Sequence, residues 1–190
     1  MSKNKFRKES LVKLKKASKA PNRYKIDKVI IKRLYSYIKQ INAKNIMLYI
    51  PLEIEVDIMP LIVRLRREKK AIYVPFMEGK SFRLVKYRLP LEVKKFKVKE
   101  PRISREYNKK IDLAIVPIVG TDKSMRRVGF GKGMYDRFFE KQNKNIKKTV
   151  FVMRILSYSR EIITDNYDVK GELLISKTVL SNWSANVRIN

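Results

Sequence analysis

The chain is 190 residues long and carries 46 Lys and Arg against 18 Asp and Glu, a net charge of +28, with a hydrophobic fraction of 44%. That balance excludes wholesale disorder and suits one core, so a single domain over 1–190 is expected. Cys and His are both absent, which excludes disulfides, zinc sites of the usual ligands and Ser-His-Asp or Cys-His catalysis, and leaves any chemistry to Asp, Glu, Lys, Arg, Tyr, backbone amides or a bound ion.

Residues 2–20 read as a basic amphipathic helix that Ser2 can cap, with Phe6, Leu11, Leu14 and Ala17 at roughly helical spacing and Pro21 as its stop. A second helix is expected to open near Asp27 as N-cap, with Ile30, Ile31, Leu34, Tyr37, Ile38 and Ile41 as its apolar stripe. Asn45 to Ile50, ended by Pro51, suits a strand buried on both faces, and 57–69 suits a helix capped by Asp57. Ala71 to Val74, closed by Pro75, completes a βαβ unit.

The alternation in 81–87 predicts an exposed antiparallel strand or hairpin. Residues 86–105, basic and holding Pro90 and Pro101, read as a long surface connection. The run 111–119 is apolar apart from Asp112 and is the strongest strand, expected at the centre of the sheet. A helix over 134–141 and strands at 149–154 and 172–176 follow. The fold class is α/β: a three-layer sandwich with a mainly parallel central sheet and helices on both faces.

No apolar run approaches the roughly 18 residues of a membrane span, and the N-terminus lacks an apolar signal core, so a cytoplasmic protein without membrane contact is expected. The charge excess is mostly Lys, spread along the chain beside many Ile and Asn. It reads as compositional bias before it reads as a designed patch. The rival function is a basic RNA- or DNA-associated α/β protein, although the tyrosines are scattered and no RNA-binding signature is visible.

Chemistry concentrates at 127–137. Three of only six glycines, Gly129, Gly131 and Gly133, fall within five residues, after the most buried strand and directly before a helix. Open α/β sheets bind ligands beyond their C-terminal strand ends, and glycines there let backbone N–H groups approach phosphate at a helix N-terminus. Lys132 adds a point charge, and Arg126, Arg127 and Arg137 add planar donors. The spacing is neither a P-loop nor a Rossmann turn, and a plain strand-to-helix turn is the bland alternative. Asp136 is either an ordinary helix acid or a Mg²⁺ ligand, with Asp165, Asp168 and Glu172 as candidate partners.

The segment from Arg127 to Phe138 resembles the Arg-Leu-Gly-x-Gly-Gly-Gly-Tyr-Tyr-Asp-Arg signature of 5-formyltetrahydrofolate cyclo-ligases. Lys3 to Arg7, Glu55 to Asp57, Glu100-Pro101, Asp112 to Pro117, Asp122, and Tyr167-Asp168 with 172–176 match further family segments in order. The resemblance implies an enzyme that uses ATP as co-substrate and Mg²⁺ to turn 5-formyltetrahydrofolate into 5,10-methenyltetrahydrofolate, releasing ADP and phosphate. A monomer acting on a reduced folate, with or without a polyglutamate tail, and touching nucleic acid only by non-specific electrostatics is expected.

By position, the resemblance assigns ATP binding to Lys3, Arg7, Arg127, Gly129, Gly131, Lys132, Gly133, Tyr135 and Arg137, and folate binding to Ile50, Glu55, Phe130 and Met134. Catalytic roles fall to Arg127, Lys132 and Tyr135, and Mg²⁺ ligation to Asp136 and Asp168. The chain departs from the signature at Lys132, where the family has glycine, and at Met134, Ile58 and Tyr167.

Overall fold

The computed structural model describes residues 1–93, 99–102, 105–178 and 180–182. Its elements in chain order are α1 (Lys3–Ser18), α2 (Arg23–Gln40), β1 (Asn45–Met47), α3 (Met59–Arg67), β2 (Ala71–Glu78), β3 (Ser81–Lys86), β4 (Leu91–Val93), β5 (Lys99–Pro101), β6 (Leu113–Pro117), β7 (Gly120–Asp122), β8 (Arg127–Val128), α4 (Met134–Gln142), β9 (Thr149–Val152), β10 (Tyr158–Ser159), β11 (Leu173–Ile175) and β12 (Leu180–Asn182).

Seven strands form the central sheet in the order β12-β11-β9-β6-β1-β2-β3. The five inner strands run parallel, and the edge strands β12 and β3 are antiparallel. The expected α/β architecture is observed: α2 and α3 bury Ile30, Leu34, Leu61 and Leu65 on one face against Ile46, Leu113 and Val150. On the other face, Phe138 and Phe139 of α4 meet Met47, Val116 and Phe151. The run around β6 is central and wholly buried, as its unbroken apolarity requires. Asp112, just before it, accepts the N–H groups of Lys44 and Asn45 and so staples the entrances of β6 and β1 together.

Several local readings need correction. Helix α1 is capped by Ser2, whose Oγ accepts the Lys5 N–H at 3.3 Å, but α2 starts four residues before Asp27. Asp27 is therefore no cap; it lies inside the helix, buried, on the side of Ile26 and Ile30. Strand β2 runs through Pro75 to Glu78. Tyr73 accepts from Leu48 on the β1 side, and two residues on, where β1 has ended, Pro75's missing donor leaves no bond unmade. The stretch 86–105 is more than a surface connection, because β4 and β5 pair and Glu100 is buried, accepting the Met77 N–H at 2.8 Å. The rest of that stretch, 94–98 and 103–104, lies outside the described residues.

Helix α1 lies against the loops that follow β6 and β9. Phe6 packs so closely on Gly120 that a Cβ there would meet its ring, and Leu14 shares a small cavity wall with Ile118 and Met153. A basic helix is thereby fixed next to the C-terminal ends of the parallel strands, where a site is expected.

Candidate active site

The glycine segment separates two cavities. The first, about 310 Å³, is walled by Ile50, Leu52, Met77, Phe82, Phe130 and Met134, and carries charge at Glu55, Lys99, Arg127 and Lys132, with Tyr49 and Tyr135 beside them. The second, about 770 Å³, is polar and is lined by Arg126, Asp136, Arg137, Asn166, Asp168 and Lys170. Gly133 belongs to both.

Backbone geometry explains the glycines. Gly131 has φ +95° and Gly133, the N-cap of α4, has φ +60°, values that side chains with a Cβ rarely adopt. A Cβ on Gly129 would collide with the Arg127 guanidinium. Lys132 is not among the residues with positive φ, so the side chain that replaces the signature's central glycine is accommodated without backbone strain.

Arg127 is the hinge of the arrangement. It is only 5% exposed, its Nε donates to the Pro117 carbonyl at 3.4 Å, its guanidinium lies 4.7 Å from the centre of the Tyr135 ring, and its Nη1 stands 3.6 Å from Asp136 Oδ2. Burial lowers its pKa, with Asp136, Tyr135 and Glu55 opposing. Burial pushes the Glu55 carboxyl up to about 7, against the Leu52 N–H it accepts at 2.8 Å and the charges of Arg127 and Arg154. Burial, reinforced by Glu55, pushes the Tyr135 hydroxyl well up, so it remains a proton-bearing donor near neutral pH. The first cavity thus holds an apolar slot with a carboxyl, a phenol and a guanidinium along its polar side.

Two carboxylates of the second cavity, Asp136 and Asp168, are held by cations at its edge. Lys3 pairs with Asp165 at 2.9 Å and with Asp168, which is 4% exposed. Desolvation would lower the Lys3 pKa, but its hydrogen bonds to the two aspartates outweigh it and raise it. Asp136 Oδ1 accepts the Val169 N–H at 3.3 Å. Asp122, fully buried, accepts from Ser124, Ile163 and Thr164 and so shapes the loop that leads to Asp165 and Asp168. Burial is outweighed there by those hydrogen bonds, and the Asp122 carboxyl is held low.

Of the expected residues, Ile50, Glu55, Arg127, Phe130, Lys132, Gly133, Met134 and Tyr135 meet in the first cavity, and Gly133, Asp136, Arg137 and Asp168 meet in the second. Lys3 reaches the second through Asp168, and Arg7 Nε donates to the Gly129 carbonyl at 2.8 Å. Arg137 spends donors on the Lys80 and Lys132 carbonyls, bracing the loop. Glu172 stands apart: it accepts the Thr149 N–H at the start of β9, at the opposite end of the strands. Sequence reasoning missed Tyr49 and Lys99 in the first cavity, and Arg154 behind it. A lone arginine closing an apolar run, with an acid on the apolar side of a helix, is the signal that could have found Arg154 and Asp27.

A profile of the 5-formyltetrahydrofolate cyclo-ligase family matches residues 1–170. The 5-formyltetrahydrofolate cyclo-ligase of Haemophilus influenzae is 28% identical over 135 residues, 66% of this chain and 72% of that protein. That of Escherichia coli K12 is 22% identical over 159 residues, 80% and 87% of the two chains. The solved 5,10-methenyltetrahydrofolate synthetase of Aquifex aeolicus superposes with a TM-score of 0.78 at 27% identity, covering 100% of this chain and 97% of that one. The synthetase of Mycoplasma pneumoniae shares the fold with a TM-score of 0.69 at 22% identity, covering 92% and 98%.

Proposed function

Because the chain belongs to the 5-formyltetrahydrofolate cyclo-ligase family, we propose that it is an ATP-dependent ligase that converts 5-formyltetrahydrofolate into 5,10-methenyltetrahydrofolate with release of ADP and phosphate. The carrying observation is the division of the site at the glycine segment: an apolar slot with Glu55 on one side, a polar, carboxylate-bearing cavity on the other, and Arg127 between them.

The formyl oxygen of the folate attacks the γ-phosphorus of ATP and expels ADP. The folate N10 then attacks the activated formyl carbon, phosphate leaves with the former formyl oxygen, and N10 gives up its proton to solvent. Neither step needs an imidazole or a thiol, since the protein must position two substrates and neutralise phosphate charge. In this reading Ile50, Phe130 and Met134 sandwich the pterin, and Glu55 accepts its N–H groups. Tyr135 donates from its neutral hydroxyl, Arg127 meets the charge that develops on the transferred phosphoryl group, and the exposed Lys132 adds longer-range attraction for the triphosphate. Lys3, Arg7, Gly129, Gly131, Gly133 and Arg137 line the path of the triphosphate.

Asp136 and Asp168 suit a Mg²⁺ ion shared with phosphates, because such sites take one or two carboxylates and fill the rest with phosphate oxygens and water. Both line the second cavity; Lys3 and the Asp165 N–H meet Asp168 at Oδ2, and the Val169 N–H meets Asp136 at Oδ1. The ion would neutralise the triphosphate. Among the described residues no helix is long and apolar enough to cross a membrane. The reading takes the protein as a cytoplasmic monomer built as one unit over 1–190, with a reduced folate, with or without a polyglutamate tail, as its small-molecule partner. No observation favours the nucleic-acid reading.

The test is an assay of purified protein with 5-formyltetrahydrofolate and Mg-ATP, following near-ultraviolet absorbance of the methenyl product together with ADP. Both products should appear in equal amounts and fall together in Asp136→Asn. ATP hydrolysis without methenyl product would overturn the assignment of the folate as substrate.

A further inference from the structure

Arg154 is the largest fully buried side chain among the described residues, and it is charged. It follows β9, and its guanidinium grips Asp27 of α2 in two parallel hydrogen bonds, Nε to Oδ1 at 2.8 Å and Nη2 to Oδ2 at 2.9 Å, with both residues no more than 4% exposed. Buried ion pairs gain little stability over a well-packed apolar pair, because both charges must be desolvated. What distinguishes this one is its remaining capacity. Arg154 Nη1 donates to the Ile54 carbonyl at 3.0 Å, Nη2 donates to the carbonyl of Glu55 itself, and Asp27 Oδ2 accepts the Asp57 N–H at 3.1 Å. Residues 54–57 belong to no helix or strand, so these anchors take the place of a regular backbone ladder.

The turn so held carries Glu55 into the wall between the first cavity and a neighbouring one of about 300 Å³, which Asp27 and Arg154 also line. We infer that the Asp27–Arg154 pair is a positioning device for the Glu55 carboxylate and thereby sets the affinity for the folate ring, without touching the nucleotide. The inference rests on the proposed role of Glu55 as pterin acceptor. Misplacement of a recognition group by about 1 Å can cost on the order of 100-fold, so the pair can matter well beyond its own contribution to folding.

Removing Arg154 alone leaves Asp27 charged and buried, which can unfold the chain. The informative variant is the double replacement Asp27→Leu with Arg154→Met, which puts two apolar side chains in place of the buried charges and removes the anchors. It should melt near the parent temperature, yet its KM for 5-formyltetrahydrofolate should rise on the order of 10- to 100-fold, with KM for ATP within about twofold. The same double replacement made on a Glu55→Gln background should raise the folate KM little further, because the group that it positions is already gone. A folded variant with an unchanged folate KM, or equal losses on the Glu55 and Glu55→Gln backgrounds, would overturn the inference. Parent protein that fails to bind the folate in calorimetry would instead overturn the function on which the inference rests.

Discussion

The two cavities on either side of the glycine segment are built by different means. The first is walled by strand ends and by the helix seated on them: Phe82 of β3 stacks on Phe138 at 4.5 Å and meets Tyr135 edge-on at 4.9 Å. Burial displaces Glu55, Arg127 and Tyr135 from their ordinary pKa values. The second is walled by α4 and the loop over 166–170, and two of its carboxylates are held by cations at its edge, Asp168 by Lys3 and Asp136 by Arg127. A preformed apolar slot selects a planar ligand by shape and a few polar contacts. On the proposed reading the second cavity would accept a polyanion by exchange: phosphate would replace carboxylate at Lys3 and Arg127, leaving the released carboxylates to a cation.

Arg127 belongs to both regions, so it gives the largest expected effect. Arg127→Met should lower kcat/KM by about 10³-fold or more, and calorimetry should find both ATP and folate binding weakened. Loss confined to one ligand would break the comparison by assigning Arg127 to one side. Asp136→Asn should act on one side only. The rate should fall on the order of 10²-fold and the Mg²⁺ dependence of ATP binding should flatten, while folate binding stays within about twofold of the parent.

Much of this division is legible in the sequence, for identifiable reasons. Gly129, Gly131 and Gly133 announce themselves because glycine is scarce in this chain and each meets a backbone demand, a collision or a positive φ. The central position of β6 follows from its unbroken apolar run. Asp27 was misread because an acid near a helix start is usually a cap, whereas its partner lies 127 positions away. Pro75 was misread as a strand end because a missing donor matters only where a neighbouring strand would have used it. Lys99 was hidden in a basic stretch with no periodicity of its own. Local chemistry is written locally; buried long-range pairs are not.

Glu55→Gln sharpens the comparison from the apolar side. Removing the carboxylate should weaken folate binding on the order of 10-fold at pH 8 and much less at pH 5.5, where the parent is itself protonated, with ATP binding unmoved. Stability moves the other way. The Glu55 carboxyl rises from an ordinary 4.5 to about 7 in the folded chain, so its contribution to stability is fully present below about pH 4.5 and is lost as pH climbs through 7. The variant should therefore be more stable than the parent at pH 8, by roughly 1–3 kcal/mol, and equal to it at pH 4, as measured by urea unfolding.

The smallest effect is expected at Lys132, which stands exposed on the loop between the cavities. Its backbone is unstrained, so Lys132→Gly removes a charge and adds loop freedom without relieving anything. An exposed cation acts on a triphosphate mainly through long-range attraction, which salt screens within about 10 Å at 0.1 M. KM for ATP should rise roughly two- to fivefold at low salt, and the difference should fade at 0.5 M salt while the folate KM stays put. An effect that persists at high salt, or that falls mainly on kcat, would place the Lys132 ammonium in direct contact with the transferred phosphoryl group, as a catalytic residue of the polar side. Either outcome also decides what the loop gains by carrying a lysine where the signature that it resembles has glycine: added capture of a charged substrate, or a group that takes part in the transfer itself.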